Sequence, residues 1–260
     1  VHVAQQSLGD LLRLTAVDTH PPLYYTVLKL WASIGGWGEV WLRLLSGLFY
    51  GGSVVAGALL IRRLFNVKIA LSTLPFLLLA PLLIRYGFEI RGYAMASFIG
   101  ITATYVMIRA RASRGWQWWA LYAVLVAAGM MTLYYMALLW LAHLIWLVAS
   151  QKHSTKEQVR APWLWAYAGS VVLFLPWLSV FLSQVGNGAL APISQAMTLD
   201  NLLGIITFNT LYQPTWQLSP LYSLVALFAI VASVCTVVVA WRSLLSRAER
   251  QSFQLLMLYM

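Results

Sequence analysis

The segment Asp18-Thr-His-Pro-Pro-Leu-Tyr-Tyr25 sets a carboxylate and an imidazole two residues apart, ahead of a double proline and two adjacent phenols. Such groups can hold a divalent cation or take a proton from a hydroxyl. Two further stretches carry isolated charge in apolar surroundings: Trp41-Leu-Arg43-Leu-Leu-Ser46, and Arg85-Tyr-Gly-Phe-Glu89-Ile-Arg91-Gly-Tyr93. Arginine recognises phosphate through paired N–H donors, so these groups together suit a substrate with a phosphate head and a lipid tail. Each residue also has a plainer reading. Arg85 and Glu89 stand four apart and suit a helical ion pair, Arg43 can snorkel to lipid headgroups, and His20 can cap a helix. What favours chemistry is their convergence on one membrane face.

That convergence follows from composition and charge. Of 260 residues, 61% are hydrophobic and only 9% charged, too apolar a mixture for a water-soluble particle, so the chain is an integral membrane protein. Apolar segments at 40–61, 68–84, 91–109, 116–133, 135–150, 162–182 and 219–241 are long enough, or nearly so, to cross a bilayer, which takes about 20 residues, and an eighth begins near Phe253. Twelve of the seventeen Lys and Arg residues occupy every second loop: Arg62, Arg63 and Lys68; Arg109, Arg111 and Arg114; Lys152, Lys156 and Arg160; Arg242, Arg247 and Arg250. By the positive-inside rule these loops are cytoplasmic. The alternate ones, Thr19 and Gln184 with them, then face outward, as does the 183–218 loop with its Leu202–Phe208 run. Topology thus accounts for the net charge of +10, and no nucleic-acid partner is implied. The single Cys235 supports neither a disulfide framework nor a cysteine metal site.

The expected fold is an all-α polytopic membrane protein of about seven transmembrane helices plus a partial eighth. It forms a single transmembrane domain over 1–260, with 1–39 as an outer loop and interfacial helix and 40–260 as a helical bundle. Pro22–Ile34 is too short to cross, carries Lys29 and opens on prolines suited to a first helical turn, so it reads as a helix lying in the outer interface. The start at Val1 and the end in a short apolar run read as those of an interior piece of a longer protein. His143, alone on an apolar helix, reads as a hydrogen-bonded core residue rather than a ligand.

In order and spacing, the stretch from Asp18 to Tyr25, then Arg43-Leu44-Leu45-Ser46, then Glu89-Ile90-Arg91-Gly92-Tyr93-Ala94 resemble the motif series of the bacterial PMT-like membrane glycosyltransferases of the GT-C superfamily. These are relatives of protein O-mannosyltransferases and of the enzyme that adds aminoarabinose to lipid A. The resemblance covers roughly residues 18–95 and implies a GT-C-like fold. It also implies transfer of a hexosyl or pentosyl unit from a polyprenyl-phosphate carrier to an acceptor on the outer face of a bacterial inner membrane, often with Mg or Mn and usually with inversion. It places His20, Tyr24, Arg43, Arg85, Glu89, Arg91 and Tyr93 in substrate binding and Asp18 with His20 at a metal. Asp18 is also the candidate catalytic carboxylate, although the family's acidic pair and main base would precede Val1. The alternatives are a secondary transporter with these charges along its pathway, or a catalytically inactive scaffold subunit. Transporter sites lie near the midplane, often between repeated halves, and no repeat is visible here.

The charge rhythm predicts that, after Cys235→Ala, a Thr19→Cys variant reacts with an impermeant maleimide added outside intact cells and an Arg247→Cys variant does not. The opposite pattern would invert the topology.

Overall fold

The computed structural model describes residues 1–18, 20–113, 115–151 and 162–186, and among these the regular elements are all helices. Helices α1 (His2–Gln5) and α2 (Leu8–Val17) come first. The Ser7 hydroxyl accepts from the Asp10 N–H at 3.2 Å and donates to the Asp10 carboxylate at 2.6 Å, satisfying a donor that the first turn of α2 leaves free. The region 1–39, expected as a loop with one helix, therefore holds three.

Helix α3 (Leu23–Gly35) coincides with the expected interfacial helix. It ends at Gly36, whose φ of 85° lies in the left-handed region that glycine alone enters freely, and whose N–H donates to Ala32 O at 2.7 Å. A side chain on Gly35 would collide with Trp41, its Cβ standing 2.1 Å from the ring. That indole stacks on Trp31 at 4.5 Å and 7°. Trp31 Nε1 donates to Trp41 O at 2.7 Å and Trp41 Nε1 to Trp31 O at 3.0 Å, stapling α3 to the start of α4 (Glu39–Leu64).

Among the described residues three helices are long and apolar enough to cross a membrane: α4, with 26 residues, α7 (Tyr93–Ala112), with 20, and α10 (Pro162–Gly186), with 25. Val40, Leu44, Leu48, Val55 and Leu59 form an exposed apolar stripe on α4, while Leu42, Leu45, Val54 and Leu60 are buried. Helix α7 packs against α4 and against α8 (Trp116–Met130), and its buried Ala96, Gly100 and Ala103 let neighbouring backbones come close. Helix α10 packs on α8, and α9 (Met136–Gln151) lies against α7 and α8.

The segment 68–84, expected as one span, is broken. Helices α5 (Val67–Leu78) and α6 (Pro81–Phe88) meet at 57° and make at most a fourth crossing together. Ala80 precedes a proline and sits at φ −61°, ψ 114°, the extended region into which a pre-proline residue is driven. Tyr50 on α4 donates to Leu78 O at 2.6 Å, satisfying a carbonyl at the break. Of the segments expected to cross at 116–133 and 135–150, the first is cut short as a helix and the second keeps its length: α8 has 15 residues and α9 has 16. They reach about 22 and 24 Å, against a hydrocarbon core of about 30 Å. Helix α8 stops early because the Thr132 and Leu133 N–H groups both turn back to Gly129 O, at 3.0 and 2.9 Å. The expected span 219–241, the partial eighth and the Leu202–Phe208 run lie outside the described residues.

His143 is fully buried, as a core histidine should be. Its Nε2 lies 3.0 Å from Thr104 Oγ1 and its Nδ1 3.0 Å from the Tyr122 hydroxyl. Tyr122 in turn meets the Tyr167 hydroxyl at 3.0 Å, and Tyr167 donates to Trp140 O at 2.7 Å, so one polar row joins α7, α8, α9 and α10. His143→Ala should cost about 2–4 kcal/mol of stability, through the void and the orphaned hydroxyls, and Tyr167→Phe only about 1 kcal/mol. Thermal unfolding in detergent checks both, and an unshifted midpoint for His143→Ala would contradict the role of this row.

Candidate active site

Three connections meet at one end of the bundle: residues 18–22 between α2 and α3, residues 89–92 between α6 and α7, and residues 131–135 between α8 and α9. Leu23 N–H donates to Met131 O at 3.0 Å, tying the first to the third. Between them lies a pocket of about 60 Å³, whose polar lining is His20, Tyr24, Tyr25, Arg91, Tyr93 and Thr132. At roughly 15 Å³ per water this is room for about four waters, comparable to a phosphate group, so a larger ligand would project from the mouth. Gly92 permits the closure. A Cβ there would stand 3.3 Å from Tyr24 Cβ and 3.4 Å from Thr132 Cγ2.

The lining is rich in donors and favours an anion. Burial pushes the Tyr24 phenol up to about 12, the neighbouring Ser46 hydroxyl pulling the other way. The Tyr25 phenol is also pushed up, first by burial and then by the Asp18 carboxylate, with Arg91 opposing. Both phenols therefore stay uncharged at neutral pH and present no negative charge to a ligand. His20 Nδ1 lies 3.3 Å from Asp18 Oδ2, with both side chains partly exposed. Arg91 is exposed, and among the described residues no carboxylate pairs with it.

Of the residues singled out in the sequence, His20, Tyr24, Arg91 and Tyr93 share this pocket, and Asp18 reaches it through His20. Arg43, Arg85 and Glu89 do not line it. Arg43 Nε and Nη2 donate to Glu39 at 2.9 and 2.5 Å, and Nη1 donates to Phe88 O. Arg85 Nε donates to Glu89 at 2.8 Å, and Ser46 donates to Glu89 O at 2.6 Å. Partly exposed i,i+4 pairs of this kind contribute only about 0.3–0.5 kcal/mol, so their importance is positional: they brace the segment that leads into Arg91.

Asp18 and His20 offer one carboxylate and one imidazole to a cation, and among the described residues no three His, Cys, Asp or Glu side chains are grouped to hold a metal. Two donors fit Mg or Mn only where water or a substrate phosphate completes the shell, as Mg commonly requires.

Sequence reasoning passed over Tyr25, Thr132 and Gln184. Thr132 lies between two apolar segments with no charge or motif beside it, and nothing marked it. Gln184, expected to face outward and be accessible, is 5% exposed. Its Nε2 donates to Thr15 O at 2.8 Å, to Ala16 O at 3.1 Å and to Asp18 O. Its Oε1 accepts from Tyr134 at 2.5 Å, and Trp177 Nε1 donates to the Tyr134 oxygen at 2.8 Å.

A family model described as dolichyl-phosphate-mannose-protein mannosyltransferase matches residues 19–180, well over half of the chain and every residue of the pocket lining. Neither a curated protein nor a solved structure matches the chain.

Proposed function

This chain belongs to the dolichyl-phosphate-mannose-protein mannosyltransferase family, and from that premise we propose that it moves a hexosyl or pentosyl unit from a polyprenyl-phosphate carrier to an acceptor on the outer face of a bacterial inner membrane. The family is one of integral membrane glycosyltransferases that use a lipid-linked sugar donor. The observation that supports the finer reading is Arg91. It is the cation of a phosphate-sized, donor-lined pocket and, unlike Arg43 and Arg85, it pairs with no carboxylate among the described residues.

In the proposed reaction the acceptor hydroxyl oxygen bonds to the anomeric carbon as the bond from that carbon to the carrier phosphate breaks. The phosphate leaves with an added negative charge, which the Arg91 guanidinium and the uncharged Tyr25 phenol stabilise where it develops. Asp18 meets the acceptor hydroxyl beside the pocket, and the hydroxyl proton passes to a carboxylate. A Mg or Mn ion held by Asp18 and His20 would add charge neutralisation at the phosphate. The sugar and lipid lie outside the pocket mouth, in contact with the membrane.

The test is turnover of the full-length protein in lipid vesicles, with a polyprenyl-phosphate sugar as donor and Mg or Mn varied. Arg91→Ala should lower kcat/KM about 100-fold and Arg91→Lys at least about tenfold, since a point charge cannot reproduce the planar fork. Equal activity in both variants and the parent would remove Arg91 from the site. Asp18→Asn should reduce turnover, raise the metal concentration needed for half-maximal activity, and change stability by no more than about 1 kcal/mol. Parent-like turnover with an unshifted metal curve would show that Asp18 serves structure alone.

A further inference from the structure

We propose that Gln184 is a positioning residue that fixes the Asp18–His20 loop from the far end of α10, an inference that rests on the function proposed above. An α-helix leaves its last carbonyls without partners inside the helix. In α2 the Asp18 N–H takes Leu14 O at 3.0 Å, and the carbonyls of Thr15, Ala16 and Asp18 are gathered by the single carboxamide of Gln184. Two N–H groups meet three acceptors, so one hydrogen is shared.

The amide is held in register from behind. Its Oε1 accepts from Tyr134, which accepts from Trp177, and all three side chains are buried. At the other end of the loop, Leu23 N–H is fixed to Met131 O. Asp18 on one side and Leu23 on the other are thus pinned, and Pro21 and Pro22 stiffen the approach to α3. Gln184 does not line the pocket; it acts on the Asp18 main chain and through it on the Asp18–His20 pair.

Gln184→Glu keeps the volume and turns the donor into a carboxylate facing three carbonyl oxygens. In the full-length protein in lipid nanodiscs, hydrogen exchange of the Val17–Tyr24 amides should quicken about tenfold or more while α7 keeps its protection, which shows the bundle still folded. Turnover at saturating donor should fall about 10- to 100-fold, as misplacement of a reacting group by about 1 Å does, with KM changed less than about threefold. In an Asp18→Asn/His20→Ala background the same substitution should change the residual turnover by less than about threefold, because the pair through which it acts is already gone. Tyr134→Phe, which only unlatches the amide, should show the same pattern at smaller size and carries the test if Gln184→Glu does not fold. Unchanged exchange overturns the proposal. So does an equal fold-loss of turnover in both backgrounds, since a merely structural defect would add independently. If the parent transfers no sugar from any polyprenyl-phosphate donor, the proposed function fails by itself, and the exchange measurement alone decides whether Gln184 holds the loop.

Discussion

A carbonyl freed at a helix end has little water to turn to inside an apolar bundle, and leaving it bare costs several kcal/mol. In this chain such groups are met repeatedly from a neighbouring element. Gln184 covers the end of α2, Tyr50 covers the break between α5 and α6, and Arg43 and Ser46 cover the carbonyls of Phe88 and Glu89. The connections at the pocket end of the bundle are consequently not free loops. Each is bonded to a helix distant in sequence, so the polar side chains they carry are presented from a fixed frame.

The same economy sorts the charges. Arg43 and Arg85 are neutralised locally by carboxylates four residues away and contribute by holding the segment before Arg91. Arg91, two residues beyond Glu89, faces an open polar pocket instead. Charge near the apolar zone is costly, and an arginine there with no carboxylate partner among the described residues is a candidate for ligand contact. The phenols beside it add no negative charge, since burial raises both from a value already well above neutral pH.

Much of this was legible in the sequence, where one residue type had one physical meaning. The apolar lengths gave α4, α7 and α10, and the double proline gave the start of α3. The motif stretches contained five of the six polar residues that line the pocket, all but Thr132. What escaped needed the third dimension. The bend between α5 and α6 was signalled by a proline but hidden by an unbroken apolar run, and hydropathy does not weigh the dihedral restriction of Ala80. The Ser7–Asp10 cap, by contrast, is local and legible from residue type and spacing alone. Gln184 carried no local signal at all, since its meaning lies in carbonyls 166 to 169 residues away in the chain.

The stacked Trp31 and Trp41 rings bear on how the pocket can move. Reciprocal hydrogen bonds and near-parallel planes leave α3 and the first turn of α4 little freedom to pivot separately at the Gly35–Gly36 corner. Tyr24 stands seven residues from Trp31 along α3, a lever arm of about 10 Å. A tilt of α4 by a few degrees in the plane of the membrane would be carried through the paired indoles and swing the phenols by a fraction of an ångström, widening or narrowing a space only large enough for a phosphate. The pocket's width would in this way follow the inclination of α4, and a bilayer that altered that tilt would alter the space beside the phenols.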